Sequence, residues 1–258
     1  MSDLHTAISA CRLCAARFAA TRTRHTPRPV VWFDPAARLL IASQAPGLRV
    51  HEAGGPFWDR SGDRLRHWLG VDKDTFYDRS RIAILPNSFC FPGYDANGSD
   101  LPPPRLCSET WHSRAMASMP NLRLKLVIGG HAQKWHLGTR RPVTEVVQDW
   151  RAAPEGVIPL PHPSWRNTGW LKRNPWFEAD LVPELQRRVR EVLAGWADVV
   201  HAFRLPRRPG RTTRERKQPR GPRPICRRFP GHEARRCRDD RPHAARPGPC
   251  RDGGGARR

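Results

Sequence analysis

The sequence predicts an α/β fold, a three-layer αβα sandwich around a central, mostly parallel four-stranded sheet. Three observations carry that expectation. Four apolar runs, "ARLLIASQAPG", "SRIAILPNSFC", "LRLKLVIGGHAQKWHLG" and "GVIPLPHPS", each break off into proline, glycine or polar residues, as buried strands do on entering a turn. Segments of helical pattern separate these runs, and strands that alternate with helices pair in parallel with both faces covered. The part of the chain that holds them is about 200 residues long, enough for one domain with a sizeable core.

Taken in order, residues 2–20 read as a short helix carrying "CRLC". The first run is a buried strand ending in a tight turn at Pro46-Gly47, and the second repeats that pattern. Between them "SGDRLRHWLG" is a helix, with Ser61 placed to cap its N-terminus and Leu65, Trp68 and Leu69 on one face. In the third run the glycines after Leu124–Ile128 mark a strand passing into a helix. The fourth run is the last strand. "PWFEADLVPELQRRVREVLAGW" forms the final helix, where Pro183 marks a break or a fresh start. Sites in parallel sheets gather beyond the carboxyl ends of the strands, so "SQAPG", "PNSFC" and "PHPS" are expected to meet in one crevice.

Composition divides the chain at residue 204. The 54 residues from Leu205 to Arg258 hold 18 basic and 5 acidic residues, 9 of the 27 prolines and none of the ten tryptophans. Such a segment cannot bury enough apolar surface to offset its ordering entropy, so 205–258 is expected to be a disordered tail. Its repeated Arg, Pro, Gly and Ala are also what GC-rich DNA encodes when read out of frame. The net charge of +22 favours a polyanionic partner. No run reaches the roughly 18 apolar residues of a membrane span, and the N-terminus lacks a secretory pattern. A cytoplasmic monomer with no membrane partner is expected.

In a reducing compartment clustered cysteines are metal ligands or redox groups more often than disulfides. Cys11 and Cys14 form a CxxC pair, with Cys90 and Cys107 far downstream. Folding can bring the four together, and four thiolates suit an iron–sulfur cluster or a structural zinc. Cys226, Cys237 and Cys250 fall in the tail and receive no role. In "LPHPSWRN" the prolines at 161 and 163 leave His162 little backbone freedom, which aims its imidazole in one direction.

These features together resemble the uracil-DNA glycosylase superfamily, closest to family 4, the iron–sulfur type. Family 4 opens its site with a GEAPG-like turn and a GxPF segment, matched by Ser43–Gly47 and by Gly54-Gly55-Pro56-Phe57; its later HPS segment is matched by His162-Pro163-Ser164. The resemblance covers roughly residues 8–195 and implies a [4Fe-4S] cluster on Cys11, Cys14, Cys90 and Cys107, with structural zinc as the alternative. The family's motif glutamate is replaced by Gln44, and its acidic pair by Val50 and His51. Asp59 stands where family 5 places an aspartate. Asn87 lies one residue closer to Cys90 than the asparagine with which family 4 reads uracil.

The resemblance implies base flipping and hydrolysis of the bond between sugar and base, with DNA containing a deaminated base as partner. His162 would donate a hydrogen bond to the uracil oxygen that gains charge. Asp59 would stabilise the sugar cation or activate water. Gln44 would orient that water, since an amide is no base near neutral pH. Phe57 would stack on the base, amides near Ala45 and Gly47 would bind its edge, and Asn87 would read it. Ser164, Trp165, Arg166 and Lys172 would bind DNA, with Arg60 and Arg173 as further phosphate contacts. The alternative is a catalytically weak or inactive nucleic-acid-binding protein that retains the scaffold and the cluster.

Overall fold

The computed structural model describes residues 3–194. The 205–258 tail, and the disorder expected of it, lie outside the described residues. In chain order the elements are α1 (Asp3–Ser9), α2 (Ala15–Ala19), β1 (Leu39–Ser43), α3 (Leu48–Ala53), α4 (Arg60–Leu69), α5 (Lys73–Tyr77) and β2 (Ile82–Pro86). They continue with α6 (Arg105–Ala117), β3 (Leu124–Ile128), α7 (Gly129–His136), α8 (Val143–Gln148), β4 (Val157–Leu160), α9 (Thr168–Arg173) and α10 (Val182–Ala194).

All four expected strands form, and every pairing is parallel, in the order β2-β1-β3-β4. The strands are short and apolar because both faces are covered. Leu39, Ile41, Ile82, Ile84, Leu126 and Ile158 face one layer, where they pack with Leu65, Trp68, Phe177, Leu185 and Val189 from α4, the turn before α10 and α10 itself. Leu40, Ala83 and Leu85 face the other layer, with Ile8 of α1 and Trp111 and Ala115 of α6. This is the period-two alternation of a strand feeding two cores. Pro159 is tolerated because β4 is an edge strand. On the opposite edge Trp32 bridges to Ile84 in antiparallel fashion.

From β1 the chain goes outward to β2 and then returns to place β3 on the other side of β1. That reversal is a topological switch point, and a crevice opens there beyond the carboxyl ends of the strands.

Two local expectations are corrected, and a third, left between two alternatives, is resolved. The segment read as one helix over 2–20 holds two, Asp3–Ser9 and Ala15–Ala19, among the described residues, and Cys11 and Cys14 stand in the break between α1 and α2. Ser61 is not the cap of α4: Asp59 is, with its carboxylate accepting from the Gly62 amide at 3.1 Å. An aspartate one residue before the first helical residue reaches an orphan N–H that Ser61, already inside the helix, cannot. Pro183 marks a fresh start, because a π-helical turn at Phe177–Leu181 runs into α10 and leaves the proline in a first turn, where its missing N–H breaks no bond.

Candidate active site

One wall of the crevice is the exit of β1. The Ser43 carbonyl accepts from the Asn87 amide at 2.9 Å and the Gln44 carbonyl from Ser88 at 3.1 Å, so the ends of β1 and β2 are laced together. Gln44, Ala45 and Gly47 line the crevice, followed by Arg49 from the first turn of α3. A Cβ added to Gly47 would meet nothing within 4 Å, so the backbone here is open to close approach by a ligand.

The next wall is built on a strained residue. Phe57 has φ 54°, a left-handed conformation that a bulky side chain rarely adopts. Its carbonyl accepts from the Tyr77 hydroxyl at 3.0 Å, and its ring meets Phe76 edge-on at 6.2 Å. The same carbonyl lies against Gly62, where a Cβ would come within 1.8 Å of it. Glycine is therefore required in the first turn of α4 to let the Phe57 backbone lie against the helix. Gly62→Ala should cost about 1–3 kcal/mol as an overpacking substitution and displace Phe57. Thermal denaturation with intrinsic fluorescence checks this, and an unchanged melting temperature would contradict it.

Opposite lies the segment after β4. Pro161 and Pro163 are buried, while His162 is half-buried and lines the crevice. The Ser164 amide donates to His162 Nδ1 at 3.2 Å, which places the proton of the neutral ring on Nε2. Nε2 has no hydrogen-bond partner among the described residues. Burial lowers the His162 pKa below 6.5, outweighing the Asp59 charge that raises it. The loop is braced by Asn167, whose amide donates to the His162 carbonyl at 2.7 Å, and by Arg64, which donates to the Ser164 carbonyl at 2.8 Å. The Ser164 hydroxyl accepts from the Arg166 amide at 3.2 Å and so starts the 3-10 turn Trp165–Asn167. Trp165 is 68% exposed, a large apolar surface at the rim.

The crevice thus gathers Gln44, Ala45, Gly47, Phe57, Asp59, His162, Ser164, Trp165 and Arg166. Asn87 is not part of its lining. Its side-chain amide donates to the His131 carbonyl at 3.0 Å, and it is only 6% exposed. The residue that faces the crevice from the end of β2 is its neighbour Pro86. Lys172 and Arg173 in α9, and Arg60 in α4, also lie outside the lining.

The four cysteines line a separate, mostly apolar cavity with Phe18, Phe89 and Trp111. Cys11 and Cys14 come from the α1–α2 break, Cys90 follows β2, and Cys107 lies in the first turn of α6. Burial pushes the Cys90 thiol up to about 12, and the neighbouring Cys107 adds to the shift. Cys107 rises to about 11 by burial, with Cys14 and Cys11 contributing. Among the described residues no group of three or more His, Cys, Asp or Glu is arranged to hold a metal ion. The donor set itself, four sulfurs around one apolar cavity, suits a thiolate-bound cluster.

The family model of the uracil DNA glycosylase superfamily matches residues 30–186. The chain belongs to that superfamily. The matched span runs from the segment before β1 into α10 and takes in the whole crevice. Membership supports DNA glycosylase activity, a hydrolase reaction in base excision repair, with DNA as substrate. Among the described residues no helix is long and apolar enough to cross a membrane.

The structure adds to this glycosylase crevice several residues that the sequence motifs did not flag: Trp32, Arg49, Tyr94, Asp100 and Asn167. Arg49 was within reach of sequence reasoning, since it stands two residues after the Pro46-Gly47 turn. Tyr94 and Asp100 flank an Asn-Gly turn, a signal that predicts a hairpin and gives no hint of what it faces.

Proposed function

We propose that the protein is a monofunctional DNA glycosylase of the iron–sulfur, family 4-like type, with a family 5-like aspartate, that excises uracil or another deaminated base. The observation that carries this reading is His162: a neutral imidazole with Nε2–H unpartnered, held in one orientation and lining the same crevice as Phe57 at the strand ends.

A flipped base would enter with its ring against Phe57 and its edge near the open backbone at Ala45 and Gly47. As the N-glycosidic bond breaks, charge collects on the base oxygens, and the His162 Nε2–H donates to one of them. A fixed donor in a partly dry site stabilises that charge more than water does, because it does not have to reorganise. Asp59 keeps one oxygen on the Gly62 amide and faces the crevice with the other, as a carboxylate that offsets the sugar cation. Gln44 orients the water that attacks the sugar carbon; the free base and an abasic site are the products. Ser164 and Arg166 contact the flipped strand, Trp165 fills the space the base leaves, and Lys172, Arg60 and Arg173 meet phosphates further out. With its side chain tied to His131, Asn87 holds the end of β2 in place rather than contacting the base. The four cysteines would hold a [4Fe-4S] cluster that braces the segments carrying them. The protein acts as a cytoplasmic monomer.

The test incubates anaerobically purified protein with labelled oligonucleotides carrying one uracil, hypoxanthine or xanthine, followed by alkaline cleavage. Strand breaks at a lesion establish the glycosylase and name its base. Lesion-independent DNA binding without breaks supports the inactive binding protein instead, with Gln44 in place of the motif glutamate as its cause.

A further inference from the structure

At the end of β2 the crevice is lined by Pro86, whereas Asn87 is absent from the lining; its side-chain NH2 donates to the His131 carbonyl and its Oδ1 is buried without a partner among the described residues. A base buried without a partner for its ring N–H would leave a polar group unsatisfied, at a cost comparable to a lost hydrogen bond.

The wall formed by residues 94–100 supplies a partner. Tyr94 and Asp100 form an antiparallel bridge, and directly paired residues in such a bridge send their side chains to the same side. Both line the crevice. The turn between them is rigid: the Asp95 carboxylate accepts from the Asn97 and Ser99 amides at 2.8 and 2.9 Å, and Leu101 donates to the Gly93 carbonyl at 2.8 Å. Gly93, at φ 98°, is pressed against Thr21, which would sit 2.8 Å from an added Cβ. The Asp100 carboxylate makes no hydrogen bond among the described residues, whereas Asp59 is partly committed to capping α4.

We infer that the Tyr94–Asp100 turn reads the base, with the Asp100 carboxylate accepting the ring N–H of a nucleobase that carries a carbonyl beside it. This rests on the glycosylase reading above. The chemistry fits deaminated bases, because deamination turns the ring-nitrogen acceptor of cytosine or adenine into an N–H donor, the group an acceptor-only carboxylate can bind. Asp100 keeps solvent access, yet the protein around it raises its pKa above 3.8 by burial, with the charge of Arg166 acting against that. Burial also raises the Tyr94 hydroxyl, with the Asp100 charge next in weight, so the phenol stays protonated as a donor beside the carboxylate.

The experiment is a binding cycle with single-stranded oligonucleotides carrying one 2′-fluoro-2′-deoxyuridine, which resists excision, or its N3-methyl analogue, on wild type, Asp100→Asn and Asp100→Ala. Methylation should weaken wild-type binding about 10-fold or more, the loss of one hydrogen bond to a charged group. It should have no effect in Asp100→Ala, and Asp100→Asn should fall between. Removing a negative charge raises affinity for both oligonucleotides alike, so the ratio isolates the contact. Equal sensitivity to methylation in all three proteins would overturn the inference while leaving the glycosylase intact. A wild type that neither excises uracil nor prefers the lesion oligonucleotide over undamaged DNA would overturn both.

Discussion

Replacing His162 by alanine is expected to lower base excision by about 10²- to 10³-fold, the range for removing one fixed donor from a charge-stabilising site, with folding and lesion-independent DNA binding retained. The ring lies at the crevice surface rather than in the core, and its backbone is held by Pro161, Pro163 and the Asn167 amide, none of which needs the imidazole. His162→Gln should recover part of the loss, since an amide N–H can reach a similar place. Single-turnover rates on an oligonucleotide with the preferred base measure this apart from product release, and wild-type rates in His162→Ala would remove the donor role.

The pH profile gives an independent check on the same residue. With the Ser164 amide donating to Nδ1, a proton added there would set two donors against each other, so the structure is built around the neutral ring. Its pKa is lowered by burial, which means the neutral donor persists below 6.5. Excision should be flat through neutral pH and fall on the acid side, at a pH below that of an exposed histidine. Stability follows the same sign. His112 and His131 are lowered by burial, and His136 to about 3. Below 6.5 the unfolded chain takes up protons that these folded histidines refuse, so stability is full above that pH and is lost as pH falls from it through the folded-state values.

The fold was legible because each strand is buried on both faces: a short apolar run ending in Pro or Gly has few other ways to satisfy its backbone and hide its side chains. Residues carried on those exits, such as Gln44, Gly47 and His162, inherit that legibility. Asn87 shows where it stops. Adjacent residues at a strand end point to opposite sides, so a shift of one position puts Pro86 in the crevice and the asparagine in the interior. Asp59 illustrates a second limit, since capping a helix and facing a ligand call for the same residue type in the same place. Asp100 was invisible for a third reason. It lines the same crevice as "HPSWRN" from a segment distant in sequence, and no local spacing encodes that.

The cysteines offer the other large effect. Replacing any one of Cys11, Cys14, Cys90 or Cys107 by alanine is expected to remove iron and sulfide together, abolish absorbance near 400 nm and lower the melting temperature by about 10 °C, the shift that roughly 3–4 kcal/mol makes in a domain of this size. The contrast with a metal-free site is what gives the measurement force. With thiols pushed up to about 12 at Cys90 and about 11 at Cys107, an empty cavity would hold those two as neutral SH groups at pH 7. Deleting one sulfur would then act as a small truncation, about 1 kcal/mol, and two deletions would cost about the sum. A cluster behaves otherwise, because thiolates that are costly to bury alone are stabilised by the metal they share. Losing one ligand releases the whole group, so Cys90→Ala/Cys107→Ala should be little worse than either single variant. Small, additive shifts in a protein without iron would refute the cluster. One equivalent of zinc without sulfide would keep the four-thiolate site and replace its occupant.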